Sequence, residues 1–380
     1  MRFTMKPLAV FALAVLLPAL TFAQYTRTDL VTNTGAGGTV KDPNLVNGWG
    51  LVSTGTSPYW VSDNGNGKQP GVSTLYSISN ANGVTATPQG LVVSIPFVAG
   101  GLGTPTGIVA PETPKGVTAF TISGVNPITG KEASANSIFI FATQDGTISG
   151  WNPAVGGISP TGASTATLAA DRSSAGAMYT GLAIASNNGQ PFLYAADDGP
   201  NRRVDVFDAN FKLTELGPNA FVDPKIPQKF APYGIQTITA ADGSETVWVT
   251  YTALDKAQSG FVDSFTPAGV LISHFALHGT LHSPWGVALA PADFGPMSNA
   301  ILITDNTPRG RINAFDPKTG AFLGPLRDTS GKAIEIDLVW AIQFGQGGVA
   351  GSNGNPNQLF FTAGNNNYND GIFGVITVGQ

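Results

Sequence analysis

The chain has 380 residues, 42% of them hydrophobic and only 11% charged, with a formal net charge of −5 and no cysteine. So few charges exclude a disordered chain, the missing thiols exclude disulfides, thiol catalysis, zinc–thiolate sites and iron–sulfur clusters, and the negative balance argues against nucleic acid or an anionic membrane surface as partner. With 48 glycines and 27 prolines, and no window that sustains an apolar 3.6-residue period, the chain reads as many short strands joined by tight turns, an all-β protein.

Arg2 and Lys6 precede an apolar run of 13 residues from Leu8 to Leu20, and Thr21-Phe22-Ala23 follows. These are the three parts of a secretory signal cleaved after Ala23, and the run is too short to span a bilayer comfortably. Residues 1–23 are therefore expected to be a signal peptide and 24–380 one domain, secreted or periplasmic, with no membrane span after cleavage. Losing Arg2 and Lys6 takes the formal charge from −5 to −7. A domain of this size can bury a stable core without disulfides.

Three strand patterns then recur six times. The first begins at a small residue followed by an aliphatic one: Gly50-Leu51, Gly107-Ile108, Gly181-Leu182, Gly234-Ile235, Gly286-Val287 and Ala341-Ile342, at intervals of 57, 74, 53, 52 and 55 residues. Trp49, Tyr233, Trp285 and Trp340 stand just before four of these pairs, Thr106 and Thr180 before the other two. The second strand ends on a small residue (Ser62, Thr143, Ala196, Thr250, Thr304, Thr362) and a polar turn. The third runs from Val72, Ile148, Val204, Val262, Ile312 or Phe373 to a large apolar residue three positions on. Between the second and third strands of the second repeat, Asp145-Gly146 is a hairpin signal. A fourth pattern follows, as at 90–95, 211–216 and 269–277.

Periods of this length mark a closed or stacked repeat array. The predicted architecture is a six-bladed β-propeller, with residues 25–31 supplying the outer strand of the last blade and closing the ring. About twenty extra residues between Pro105 and Ile138, including a Gly/Pro/Ser-rich run at 123–136, read as a surface loop.

In such a ring the turns after the second strands and the segments leading into the first share one face around the channel, where ligands are expected. That face collects Asp63, Asn64, Asp145, Asp197, Asp198, Tyr251, Asp305, Asn306 and Asn365 from the turns, with Asn47, His282 and Asp337 beside them. Such oxygens suit a hard cation, calcium or magnesium, with Asp198, Asp305 and Asp337 as the metal set; turns also select Asp and Asn for their own hydrogen bonds. Asp63-Asn64-Gly65-Asn66-Gly67 opens like a calcium loop without its closing Glu. Glu335 and Asp337 would share one side of a strand and form an acid/base pair.

All three histidines, His274, His278 and His282, fall within nine residues. On a strand His274 and His278 lie about 13 Å apart, too far to chelate one ion together, and read as surface or packing residues. His282, near the channel mouth, is the catalytic candidate among them. Trp49, Trp285 and Trp340 are of a kind that stacks on a sugar or wedges between neighbouring blades.

The stretches PWGVALAP (284–291), FATQDGTISGWNP (141–153), DLVWAIQFG (337–345) and LFFTAGNNNYNDGIFG (359–374) resemble a family of uncharacterised, exported bacterial propellers. The resemblance implies six blades and a signal peptide and brings no activity with it. More distantly the blades are similar to NHL-repeat, streptogramin lyase and gluconolactonase/regucalcin propellers. The gluconolactonase type places a metal-binding Glu early in the chain, whereas the first Glu here is Glu112; streptogramin lyases draw His and Glu from different blades, whereas here every His lies in one segment.

The primary expectation is a binding propeller that takes a small ligand on the channel face, or a glycan or protein on its rim. The alternatives are a calcium- or magnesium-dependent lactonase- or lyase-like enzyme, with His282 or Asp337 as general base, and a surface or matrix adhesion component.

Overall fold

Short runs of β-branched and aromatic residues, cut by Gly, Pro, Asn and Asp, pair into antiparallel ladders that form the blades of a six-bladed propeller. The computed structural model describes residues 24–112, 116–253, 259–276, 279–348 and 353–379; the expected signal peptide and His278 lie outside them. The innermost strands are Gly48–Val52, Pro105–Val109, Tyr179–Asn187, Phe230–Thr239, Pro284–Leu289 and Val339–Phe344, each beside the next, with the sixth beside the first.

Tyr25–Thr32 completes the sixth blade. It runs antiparallel to Ile372–Val378, with Tyr25 opposite Val378 and Thr28 opposite Val375. The expected closure over 25–31 is thus observed, one residue longer. It pairs an edge strand that would otherwise stand exposed.

The recurring small residue of the first strand has a steric cause. A Cβ on Gly107 would stand 2.1 Å from the Leu182 backbone nitrogen, and one on Gly234 2.1 Å from the Trp285 carbonyl. The inner strands approach so closely around the axis that a side chain has no room. In each blade the register of first and second strands also slips beside this residue, a bulge that exposes backbone groups. The small hydroxyls of the second strand satisfy several of them. Thr304 Oγ1 accepts from Gly286 N and donates to the Trp340 carbonyl of the next blade, both at 2.7 Å. Thr362 does the same between Ala341 N and the Trp49 carbonyl.

Apolar clusters fill the interfaces between blades. Trp60 of the first blade stacks at 4.0 Å on Phe139 of the second, while Tyr59 lies 4.6 Å from Phe360 of the sixth. Side chains on both faces of a blade are therefore buried, which explains strands such as Phe139–Thr143 that are buried at every position.

The run expected to be a surface loop is a hairpin, Thr121–Val125 against Glu132–Asn136. Its composition hides a period of two. Ile122 turns inward and is buried, while outward neighbours Thr121 and Ser123 bond across to Asn136 and Ser134. Ala163–Thr165 also leaves the second blade to pair in parallel with Val92–Ser94 of the first, which no sequence pattern signalled.

Candidate functional site

The aromatic residues before the small residues of the inner strands converge on the axis instead of wedging between blades. The bulge turns each into the channel. Trp49 and Trp340 stack with ring centres 3.6 Å apart; Trp285 meets both edge-on, at 6.3 and 5.8 Å, and Tyr233 lies 5.9 Å from Trp340. Trp285 Nε1 reaches across to the Thr180 carbonyl at 2.9 Å, and Trp340 Nε1 donates to Asn47 Oδ1 at 3.0 Å. Trp49 Nε1 is buried without a partner. The fourth, fifth, sixth and first blades thus plug the channel, while Thr106 and Thr180 of the second and third leave space.

Above the plug lies a cavity of about 480 Å³ on the face the sequence indicated. Trp49, Trp340, Tyr233 and Tyr368 supply its apolar surface, and Asn47, Asn64, Gln144, Asn367, Asn369 and Asp198 its polar wall; among the described residues no cationic side chain lines it. Amides run in a chain from the first blade to the second: Asn47 Nδ2 donates to Asn64 Oδ1 at 3.3 Å, and Asn64 Nδ2 to Gln144 Oε1 at 3.1 Å. Asn366, Asn367 and Tyr368 all hold left-handed backbone, with φ of 54°, 52° and 65°. Three such residues in succession store strain at the rim.

Asp198 differs from its counterparts in the first and fifth blades. Asn64 and Asn306 occupy the same place after their second strands, and each donates its amide to the next blade, to the Pro105 and Val339 carbonyls, both at 3.2 Å. A carboxylate cannot donate. Asp198 Oδ1 is buried and unpartnered, and burial, then the neighbouring Asp197, pushes the carboxyl up to about 7, against the pull of Arg202.

Three of the four remaining acids hold backbone in place. Asp197 Oδ1 accepts from Met178 N and Gly199 N, Asp305 Oδ1 from His282 N and Ser283 N, Asp145 Oδ2 from Gly103 N, and Asp63 Oδ2 from the Thr74 hydroxyl. Turn chemistry accounts for the first three; Asp63 is buried at the end of its strand and bonds a side chain, its Oδ1 unpartnered. Asn306 accepts from the Tyr368 hydroxyl at 3.1 Å, and Asn365 lies in the same turn as Asn367 and Tyr368 without lining the cavity.

Asp198, Asp305 and Asp337 do not come together as a ligand set; Asp337 instead accepts from Asn366 N at 3.1 Å. Glu335 and Asp337 are not a pair either, because the chain turns at Asp337-Leu338 and the strand alternation ends. Glu335 is held by Arg309 at 2.7 and 2.9 Å and Arg311 at 3.1 Å. His282 Nδ1 sits 3.2 Å from Asp305 Oδ2, in an outer groove shared with Arg309, Arg311 and Glu335.

Tyr251 belongs elsewhere, in a buried cluster of the fourth blade. His274 Nδ1 lies 2.8 Å from Asp263 Oδ1 and 2.9 Å from Asp223 Oδ2. Asp263 and His274 are register partners on adjacent strands, so their side chains share one side of the sheet. The reading of His274 as a surface or packing residue is thereby corrected: its cross-strand neighbour, not the next His along the chain, defines its surroundings. An acid one strand away was the available signal.

No family model matches the chain. It is similar to two uncharacterised proteins of Acanthamoeba polyphaga mimivirus. One is 34% identical over 225 residues, which cover 56% of this chain and 38% of that protein; the other is 28% identical over 352 residues, covering 89% and 82%. The chain spans under two fifths of the first relative's length. These relatives are viral and give no support to the expected bacterial family. Among solved structures, the soluble aldose sugar dehydrogenase of Escherichia coli in its apo form aligns with a TM-score of 0.50 at 11% identity, over 93% of this chain and all of the other. A glucose dehydrogenase aligns at 0.49 and 12% identity, over 93% and 99%. The likeness concerns the fold alone. Among the described residues no helix is long and apolar enough to cross a membrane.

Proposed function

We propose that this protein is an exported binding propeller that takes a small neutral polar ligand of the saccharide class in the channel mouth. The observation that carries the reading is the dead-end cavity, floored by stacked aromatics and walled by amides, with Asp198 as its acid. Aromatic faces suit the C–H faces of a sugar, and amides match hydroxyls that both donate and accept. The absence of cationic lining residues disfavours anionic ligands. The leader-like residues 1–23 support a binding step outside the cytoplasm.

The rival reading, a calcium- or magnesium-dependent lactonase- or lyase-like enzyme, needs channel carboxylates that converge, and Asp305 and Asp337 are engaged with backbone amides. Adhesion through the rim has no observation of its own to favour it.

The test is a panel of neutral mono- and disaccharides followed by tryptophan fluorescence and calorimetry. At least one sugar is expected to shift the emission, with affinity about tenfold weaker in Asp198→Asn, the equivalent of one lost hydrogen bond. No shift with any sugar, or affinity unaltered in both Asp198→Asn and Gln144→Ala, sinks the reading.

A further inference from the structure

The cluster in the fourth blade has no part in the channel mouth. Asp223 comes from the segment joining the third and fourth blades, Tyr251 from the second strand, Asp263 from the third and His274 from the fourth. Their donor atoms gather around one point: those of Asp223, Asp263 and His274 lie within 4.8 Å of one another. Both aspartates are buried, at 6% and 0% exposure.

The arrangement is incomplete as a hydrogen-bond network. A ring nitrogen carries one hydrogen at most, yet His274 Nδ1 faces two carboxylate oxygens at under 3 Å. Asp223 Oδ2 and Asp263 Oδ2 complete no hydrogen bond. The Tyr251 hydroxyl, in a residue only 5% exposed, stands beside the Asp263 carboxyl and also completes none of acceptable geometry. Two buried acids that face each other need a counter-charge, and the imidazole between them, His274, is one they must share. Burial raises the Asp263 carboxyl, with His274 opposing and Asp223 adding to the rise.

We propose that Asp223, Asp263 and His274, with the Tyr251 hydroxyl beside them, form a binding site for one divalent transition-metal cation of the zinc type. An imidazole nitrogen with two carboxylate oxygens is a zinc-like donor set, whereas calcium and magnesium select oxygen alone. A tetrahedral ion about 2.1 Å from each donor would space the donors about 3.4 Å apart, so binding widens the two His274–carboxylate separations, now 2.8 and 2.9 Å, by roughly half an ångström. A cavity of about 320 Å³ opens on the cluster at Asp223 and Tyr251 and leaves room for a water ligand; Arg202 also lines it, its guanidinium donating to the Gln228 carbonyl at 2.9 Å. The ion would tie the interblade segment to the fourth blade.

The experiment is titration of the chelator-treated full chain with cobalt(II), followed by displacement with zinc, read by visible absorption and metal analysis. One equivalent of cobalt with a tetrahedral-type band is expected, displaced by zinc and not by calcium or magnesium. Zinc is expected to raise Tm by several degrees. His274→Gln and Asp263→Asn are expected to lose the band; Asp223→Asn, in the interblade segment and nearly isosteric, provides the same loss if a strand variant fails to fold. His282→Ala retains it. No stoichiometric band in the wild type overturns the site, as does a band that survives in folded Asp223→Asn and His274→Gln or disappears in His282→Ala.

Discussion

Asp205 and Asp263 stand at equivalent positions in the third and fourth blades, each one residue beyond the partner of a second-strand small residue, Ala196 or Thr250. Their surroundings differ sharply. Asp205 receives Arg203 Nε on one oxygen at 2.7 Å and the Tyr179 hydroxyl on the other at 2.8 Å. Asp263 meets an imidazole already shared with a second acid, and its other oxygen is unpartnered. The same strand position is a closed structural network in one blade and an open donor set in the next. Repeats set the place of a side chain, and the side chains that neighbouring strands bring to it set its chemistry.

The largest expected effect falls on the closed network. Asp205→Ala strips the buried Tyr179 hydroxyl and Arg203 of their acceptor and is expected to lower stability by about 2–3 kcal/mol, measured by urea unfolding. A loss below about 0.5 kcal/mol would mean that this network, too, is dispensable.

A smaller, pH-dependent effect is expected at the open set. With metal removed, Asp263→Asn should stay within about 1 kcal/mol of the wild type, because it removes a charge that burial disfavours. The sign follows from the raised carboxyl. Below the unfolded pKa both states are protonated and the acid carries no penalty; as pH rises through the folded pKa the penalty develops in full, so wild type loses stability relative to Asp263→Asn. The groups that face Asp263 are Asp223, His274 and Tyr251. Unfolding at pH 4.5 and pH 8 in chelator measures this, and a difference that does not grow with pH contradicts it.

The smallest effect belongs to the other histidine–aspartate pair. His282 is 41% exposed on its side chain, and Asp305 keeps its two backbone donors without it. His282→Ala is expected to change stability by less than about 1 kcal/mol, checked by thermal unfolding. A larger loss would show that the outer groove contributes more than the surface pairing suggests.

The blades themselves were legible because their cause is local. Gly107 and Gly234 recur since inner backbones touch, and Thr304 and Thr362 recur since bulges expose amides; both constraints repeat at each turn of the ring and so leave a periodic trace. The hairpin at 121–136 was missed because small residues hid its alternation of buried Ile122 with exposed neighbours. Of the channel-face residues, Asn47, Asn64 and Asp198 do line the mouth, Asp145, Asp197 and Asp305 support backbone around it, and Asp63 is buried against the Thr74 hydroxyl.

The sequence by itself determined the all-β class, the six repeats, the closing strand to within one residue and the face on which turn residues gather. Tertiary structure alone decided that four aromatics close the channel, that Glu335 belongs to Arg309 and Arg311, and that His274 meets Asp263 and Asp223. Strand patterns arise from short-range periodicity, which one chain displays along its length. Contacts across the axis, between strands and between blades join residues tens to hundreds of positions apart, and only the closed ring brings them together.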